Sequence, residues 1–184
     1  YIVGGLGRVV SMFDTDTNTW SSKPNMWTNR SACAAVAIDS RVFVVGGIGG
    51  PNDYSGDKLQ SAEVFDTTTN IWSKLPDMSC RRFSCAAIVI GSRMYVVGGY
   101  DGDTQLSSAE VFDSTTNTWS ALPDMKHKRE NCIAVAIGCC IYVMGGYNGY
   151  VALKSVEMFD TTANTWNDVP DMPYSSYRAT AVPM

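Results

Sequence analysis

The chain has 184 residues, with 14 Lys plus Arg against 18 Asp plus Glu, which gives a formal net charge of −4. This acidic balance argues against nucleic acid as a partner, because binding to a phosphate backbone needs clustered positive charge. Hydrophobic residues make up 45% of the chain, enough to fill a core. The apolar runs are far shorter than the roughly 20 residues that cross a bilayer, so we expect a globular domain without a membrane partner.

Two sequence markers recur along the chain in one register. Tryptophans stand at intervals of 52, 47 and 47 residues, at Trp20, Trp72, Trp119 and Trp166. A Phe-Asp pair recurs at the same three intervals, beginning with Phe13, Phe65, Phe112 and Phe159. A double glycine keeps the period from the second unit onwards, and the first unit is shorter. The chain is therefore an array of repeated units.

Four strands are predicted in each complete unit, in a fixed order. The chain opens at residues 1–5 on a second strand. First strands, built from small and β-branched residues, are predicted at 31–39, 84–90 and 131–137. Second strands follow after tight turns at 41–47, 93–99 and 140–146, and each ends at a double glycine, where the chain can turn closely against the next unit. Third strands are predicted at 61–66, 108–113 and 155–160, and a fourth strand runs from each repeated Trp to the next Pro.

A small four-stranded sheet can bury its faces only against neighbouring sheets, so such units stack radially. The predicted fold is therefore an all-β β-propeller of four blades, each a four-stranded antiparallel sheet. Each unit, with its Gly-Gly, Phe-Asp, Trp and Pro-x-Met in that order, resembles a Kelch repeat. This resemblance extends over essentially all 184 residues.

The predicted domain covers residues 1–184, with units at 1–26, 27–78, 79–125 and 126–172. Residues 178–182 resemble a first strand, and the Kelch resemblance implies that such a strand can complete the blade at the other terminus. Two arrangements stay open: a closed ring of four blades, or part of a larger ring. Because the chain begins without Met, we interpret it as a piece of a larger protein.

The sequence offers no catalytic or metal site. His127 is the single histidine, which falls short of a metal centre or a catalytic triad. Cys33, Cys85 and Cys132 occupy one repeated position on the predicted inner strands, which favours buried thiols over disulfides. We therefore expect no cofactor and no enzymatic activity, and a reducing, cytoplasmic location.

Arginines recur four residues after each of the first three repeated methionines, at Arg30, Arg82 and Arg129. They lie in the connection between consecutive blades, so radial repetition would place them around one mouth of the channel. A guanidinium can bind a carboxylate with two hydrogen bonds, which suits an acidic peptide segment. The alternative is that these arginines pair with Glu63, Glu110 and Glu157 as part of the repeat architecture. The last unit departs from the pattern, with Ser176 at the arginine position and Arg178 two residues later.

In Kelch substrate adaptors, to which this chain is similar, this connection and the loop after the double glycine form the peptide-binding face. The resemblance and the variation between units together give the predicted partner-binding residues, which are Arg30, Arg82, Phe83, Tyr100, Asp101, Arg129, Glu130, Asn131, Tyr147, Asn148 and Arg178. The resemblance implies a protein partner, and a cullin-type ubiquitin ligase complex reached through an N-terminal domain that this chain lacks. The alternatives are actin binding and, with less support, an enzyme such as a sugar epimerase or an oxidase on the same scaffold.

Overall fold

In the computed structural model, the described residues 1–4, 7–50 and 56–181 form an all-β fold, which confirms the predicted fold class. Blade 1 contains β1 (Ile2–Val3), β2 (Val10–Asp14) and β3 (Thr19–Lys23). Blade 2 contains β4 (Ala34–Ile38), β5 (Arg41–Val45), β6 (Ala62–Asp66) and β7 (Ile71–Lys74). Blade 3 contains β8 (Ala86–Ile90), β9 (Arg93–Val97), β10 (Ala109–Asp113) and β11 (Thr118–Leu122). Blade 4 contains β12 (Ile133–Ile137), β13 (Cys140–Met144), β14 (Val156–Asp160) and β15 (Thr165–Val169).

Each blade is an antiparallel meander whose strands pair in chain order, and the described residues supply three strands to blade 1. Successive side chains of a strand point to opposite faces of the sheet, and blades 2 and 3 each pack both faces against a neighbouring blade. In β5, Val42 and Val44 pack in the core towards blade 1, whereas Phe43 and Val45 pack in the core towards blade 3. Among the described residues, no helix is long and apolar enough to span a membrane.

The repeated tryptophans join neighbouring blades. The indole Nε1 of Trp72 donates to the carbonyl oxygen of Pro24 at 2.7 Å, and Trp119 and Trp166 donate in the same way to Pro76 and Pro123. Each ring also packs on the Phe of the Phe-Asp pair in its own blade, with ring centroids 4.9 to 5.1 Å apart in blades 2 to 4. Trp72, Trp119 and Trp166 therefore pack between neighbouring blades.

The double glycines bring consecutive blades close together. Gly98 and Gly99 both have positive φ, and the amide of Gly99 donates to the carbonyl oxygen of Arg129 in the next connection at 2.7 Å. A Cβ on Gly98 would collide with that same carbonyl. Glycine is therefore required here both by conformation and by lack of space.

The inner strands begin later than the sequence predicts. Ser84 and Asn131, placed at the predicted strand starts, have left-handed backbones, with φ of 53° and 51°, and so interrupt the strand direction. Towards the C-terminus, residues 178–181 form no strand, and residue 182 of the predicted closing strand lies outside the described residues, as does Gly5. Trp20 in blade 1 is 59% exposed, in contrast to 3% for Trp72, because none of the residues that the structure describes forms a blade over its ring.

Candidate functional site

Four residues form the inner rim at one end of the blades, which we call the mouth ring: Ala32, Ser84, Asn131 and Arg178. Their φ values lie between 50° and 56°. The amide of Ser84 donates to Ala32 O at 2.9 Å, that of Asn131 to Ser84 O at 2.8 Å, and that of Arg178 to Asn131 O at 3.1 Å. A left-handed conformation is uncommon for residues other than glycine. Its recurrence shows that the backbone bonds between blades fix this ring.

The residues before Ala32, Ser84 and Asn131 each pair with the loop that follows the double glycine of the same blade. Phe83 and Tyr100 exchange two backbone hydrogen bonds of 3.0 and 2.9 Å, and their rings meet edge to face with centroids 5.3 Å apart. Glu130 and Tyr147 exchange two backbone bonds of 2.9 Å. The structure thus brings these four predicted site residues together beside the mouth ring.

Two adjacent clefts open at this end of the propeller. The first has a volume of about 370 Å³ and is lined by residues that include Phe83, Tyr100, Gln105, Glu130, Asn131 and Arg178. The second has a volume of about 330 Å³ and is lined by residues that include Glu130, Tyr147, Tyr150, Val151, Tyr177 and Arg178. Glu130, Asn131 and Arg178 line both clefts, so they stand at the centre of the candidate site.

The two charged side chains of the clefts, Glu130 and Arg178, differ in their exposure to solvent. Burial raises the pKa of the Glu130 carboxyl, and the side chain of Gln105 and the positive charge of Arg178 offset this only in part. Arg178 is exposed, and its guanidinium carbon lies 5.9 Å from the centroid of the Tyr177 ring. The clefts therefore contain one half-buried carboxyl group, Glu130, and one exposed cation, Arg178.

Asp101 and Asn148 shape the loops that flank the clefts. Asp101 Oδ1 accepts the amides of Asp103 and Thr104 at 2.7 and 2.8 Å, and Asn148 Oδ1 accepts the amides two and three residues ahead at 2.9 Å. Burial pushes the pKa of Asp101 upwards, but these amide donors outweigh it, so the pKa lies below its usual value. Each side chain thus fixes the conformation of its loop by accepting backbone amides. Neither side chain lines the two clefts.

The three repeated arginines require a correction, because their side chains are not at the surface. Arg30, Arg82 and Arg129 are each 0% exposed. Arg82 donates from Nε and Nη2 to Glu110 Oε1 at 3.2 and 3.0 Å, from Nη1 to the carbonyls of Gly98 and Ser108, and from Nη2 to Ser108 Oγ. The same pairing joins Arg30 to Glu63 and Arg129 to Glu157. The alternative interpretation as repeat architecture is therefore confirmed, and the prediction that these side chains contact a partner is wrong.

The buried glutamates also bind backbone amides of the connections between consecutive blades. Glu63 Oε2 accepts the amide of Trp27 at 2.8 Å, and Glu157 Oε2 accepts the amide of Lys126 at 2.6 Å. One sequence signal points to this role. The last connection has Ser176 at the Arg position and the first unit has Ser11 at the Glu position, so neither of these positions carries a charge that needs a buried partner.

The sequence reasoning missed Gln105, Tyr150, Val151 and Tyr177, which line the clefts. Tyr177 stands at the same repeat position as Phe83 and Glu130, so the register would have found it. Tyr150 and Val151 follow Tyr147 in the loop after the double glycine, and their exposure depends on the loop conformation, which the repeat pattern does not give.

The cysteine thiols and the histidine ring line neither of the two clefts. Burial raises the pKa of the Cys85 thiol to about 12 and that of Cys132 to about 11. His127 Nδ1 lies 3.2 Å from Glu157 Oε1, beside the buried ion pair. Among the described residues, no group of three or more His, Cys, Asp or Glu side chains is arranged to hold a metal ion.

Comparison with known proteins places the chain among Kelch-repeat proteins. Residues 1–181 match the family described as the KLHDC2/KLHL20/DRC7 Kelch-repeats domain. Kelch-like protein 25 of Xenopus tropicalis is 40% identical over 96 residues, which cover 50% of this chain and 15% of that protein. An F-box/kelch-repeat protein of Arabidopsis thaliana is 34% identical over 90 residues, which cover 49% of this chain and 23% of that protein. The chain thus matches less than a quarter of these relatives.

A solved structure titled "Structure of YjhT" superposes with a TM-score of 0.81 and 18% sequence identity. The superposition covers 95% of this chain and 63% of that chain. At this level of identity, the likeness supports the propeller fold alone.

Proposed function

We propose that this chain, which belongs to the Kelch-repeat family, is a non-enzymatic interaction module that captures a segment of a partner protein at the mouth ring and its two clefts. The observation that carries the proposal is that the four mouth-ring positions have the same backbone conformation but different side chains. Ala32, Ser84, Asn131 and Arg178 share one backbone conformation, and each amide after Ala32 donates to the carbonyl of the preceding member. A rigid scaffold that presents different groups at equivalent points suits the recognition of an asymmetric ligand such as a peptide.

The clefts have the composition of a protein-binding surface. Aromatic rings of Phe83, Tyr100 and Tyr147 stand beside the polar groups of Glu130 and Asn131. Tyrosine and arginine are enriched among the residues that dominate binding energy at protein interfaces. The buried arginine–glutamate pairs hold the connections that carry Ala32, Ser84 and Asn131 in place.

The finer proposal is that the propeller selects substrates for a cullin-type ubiquitin ligase in the cytoplasm. It is supported by the family resemblance and by the names of the Kelch-like and F-box/kelch-repeat relatives. Its test is purification of the full-length protein from its own cells, followed by mass spectrometry. We expect a cullin among the recovered proteins. Recovery of other partners without a cullin would remove the ligase role and leave the interaction role intact.

Affinity capture from a cell extract tests the interaction role. Immobilised wild type is compared with Tyr147→Ala in the second cleft and with Ile137→Ala, which changes an exposed apolar residue at the opposite end of the same blade. We expect a partner that is retained by wild type and by Ile137→Ala but lost by Tyr147→Ala. Equal capture by all three proteins would contradict binding at the mouth, and pelleting of the chain with actin filaments would favour the cytoskeletal alternative.

A further inference from the structure

The loop of blade 4 presents apolar groups where the equivalent loop of blade 3 presents polar ones. Tyr150 is 88% exposed and Val151 is 57% exposed. The corresponding residues in blade 3 are Asp103 and Thr104. Both loops are held by a side-chain oxygen at the same position, so their backbones are alike. The two loops therefore differ in the chemistry of their side chains at equivalent backbone positions.

Three tyrosines surround the second cleft. Tyr147 and Tyr150 come from the blade 4 loop, and Tyr177, which is 52% exposed, comes from the connection after blade 4. The volume of about 330 Å³ gives room for a bulky side chain. Exposed aromatic rings around a concave surface lose little conformational freedom on binding and gain from burial. This cleft therefore favours an aliphatic or aromatic group.

Arg178 supplies a charge beside the tyrosines. Its positive charge acts on the Glu130 carboxyl in the same clefts, but among the described residues it forms no ion pair with a carboxylate. The two-residue shift from the buried arginine position, now Ser176, places this guanidinium at the surface. Since an arginine fork can bind a carboxylate through two hydrogen bonds, Arg178 is complementary to an acidic side chain.

Taking the proposed mouth function as its basis, we infer that the partner segment is anchored at blade 4. A bulky apolar side chain of the segment enters the cleft between Tyr147, Tyr150 and Tyr177, and a neighbouring Asp or Glu of the segment bonds to Arg178. The binding energy is concentrated at this corner, whereas the polar loop of blade 3 contributes little. The partner is thus a peptide segment with adjacent apolar and acidic residues.

Selection from a phage-displayed library of random 12-residue peptides tests this inference. The immobilised proteins are wild type, Tyr150→Ala, Arg178→Ala, Arg178→Glu and the matched control Asp103→Ala in blade 3. Thermal melting first checks that all are folded, which we expect because the changed side chains are at the surface. Peptides enriched on wild type should pair an acidic with a bulky apolar residue. Their Kd should rise at least tenfold with Tyr150→Ala or Arg178→Ala and stay within about twofold with Asp103→Ala.

The charge-reversed variant Arg178→Glu shows whether Arg178 recognises an acidic residue of the peptide or whether its replacement only weakens peptide binding. On Arg178→Glu, the enriched peptides should carry Lys or Arg in place of the acidic residue. Peptides that bind the mouth but lose affinity with Asp103→Ala instead of the blade 4 variants would overturn the anchor and leave the proposed function standing. Peptides whose binding no mouth variant changes, or a library that yields no binder, would count against both.

Discussion

The guanidinium of Arg82 and the carboxylate of Glu110 form an ion pair with an Nη2 to Oε1 distance of 3.0 Å inside blade 3. The same carboxylate accepts the backbone amide of Ser79 at 2.8 Å. One pair thus fixes the connection from blade 2 and anchors it to β10. Blades 2 and 4 repeat the arrangement, so the connections that carry Ala32, Ser84 and Asn131 each contain a buried ion pair, whereas the connection that carries Arg178 has Ser176 at that position.

Replacement of Arg82 by Ala should destabilise the fold strongly. The change leaves the Glu110 carboxylate buried without its cation, and breaking a buried pair in this way costs about 3–5 kcal/mol. Arg81→Ala is a matched control, because the neighbouring Arg81 is exposed. Denaturant unfolding measures both changes, and equal stabilities of the two variants would refute the structural role of Arg82.

Replacement of Trp72 by Ala should cost about 3–5 kcal/mol of unfolding free energy, because it empties a buried site and removes the bond to Pro24. Trp20→Ala in the same 184-residue chain should cost about 1 kcal/mol or less, since its ring is mostly exposed. Thermal melting of the two variants provides the comparison. A larger loss for Trp20→Ala would contradict the observed packing between blades.

The cysteines should differ in their reactivity towards iodoacetamide at pH 8. The thiolate is the reactive form, and burial raises the pKa of Cys85 to about 12 and that of Cys132 to about 11, so both stay protonated in the folded chain. Cys139 is exposed and should be alkylated first. Peptide mapping by mass spectrometry follows each site with time. Early labelling of Cys85 without unfolding would contradict the raised pKa of its thiol.

Asp66 should titrate below its ordinary pKa. The amides of Thr69 and Thr68 donate to its carboxylate and lower the pKa. A lowered pKa in the folded state stabilises the fold above the pKa of the unfolded chain, and this contribution is lost as the pH falls through the folded value. Carboxyl chemical shifts measured by NMR between pH 2 and 6 should place the midpoint below the reference value of 3.8. A midpoint at or above it would contradict these bonds in solution.

Much of the fold can be predicted because the repeat fixes it. The register of Trp72, Trp119 and Trp166 gives the blade order, and the Asp-Thr-Thr-Thr-Asn turn after Phe65 forms through local bonds that a sequence motif encodes. The strand starts at Ser84 and Asn131 were misplaced because their left-handed backbone comes from bonds to a neighbouring blade. Contacts of that kind depend on how the blades pack.

The candidate site was only partly predictable. Phe83, Tyr100, Glu130 and Tyr147 were found because variation between units marks positions that the fold leaves free. Arg82 and its equivalents have the residue type of a binding group, yet they are buried because each has a glutamate within reach inside its own blade. The sequence shows the arginine and the glutamate of each blade. Only their distance in the folded chain shows that they form a buried ion pair and that the arginine is not a surface binding group.

Hydrogen exchange of the chain, with and without its captured partner, tests the central claim most directly. Partner capture at the mouth should slow exchange in the surrounding loops, at residues 99–108, 127–133, 146–155 and 174–179. Exchange should be unchanged in the hairpins at residues 38–41, 90–93 and 137–140, at the opposite end of the blades. Protection confined to those hairpins would contradict partner capture at the mouth.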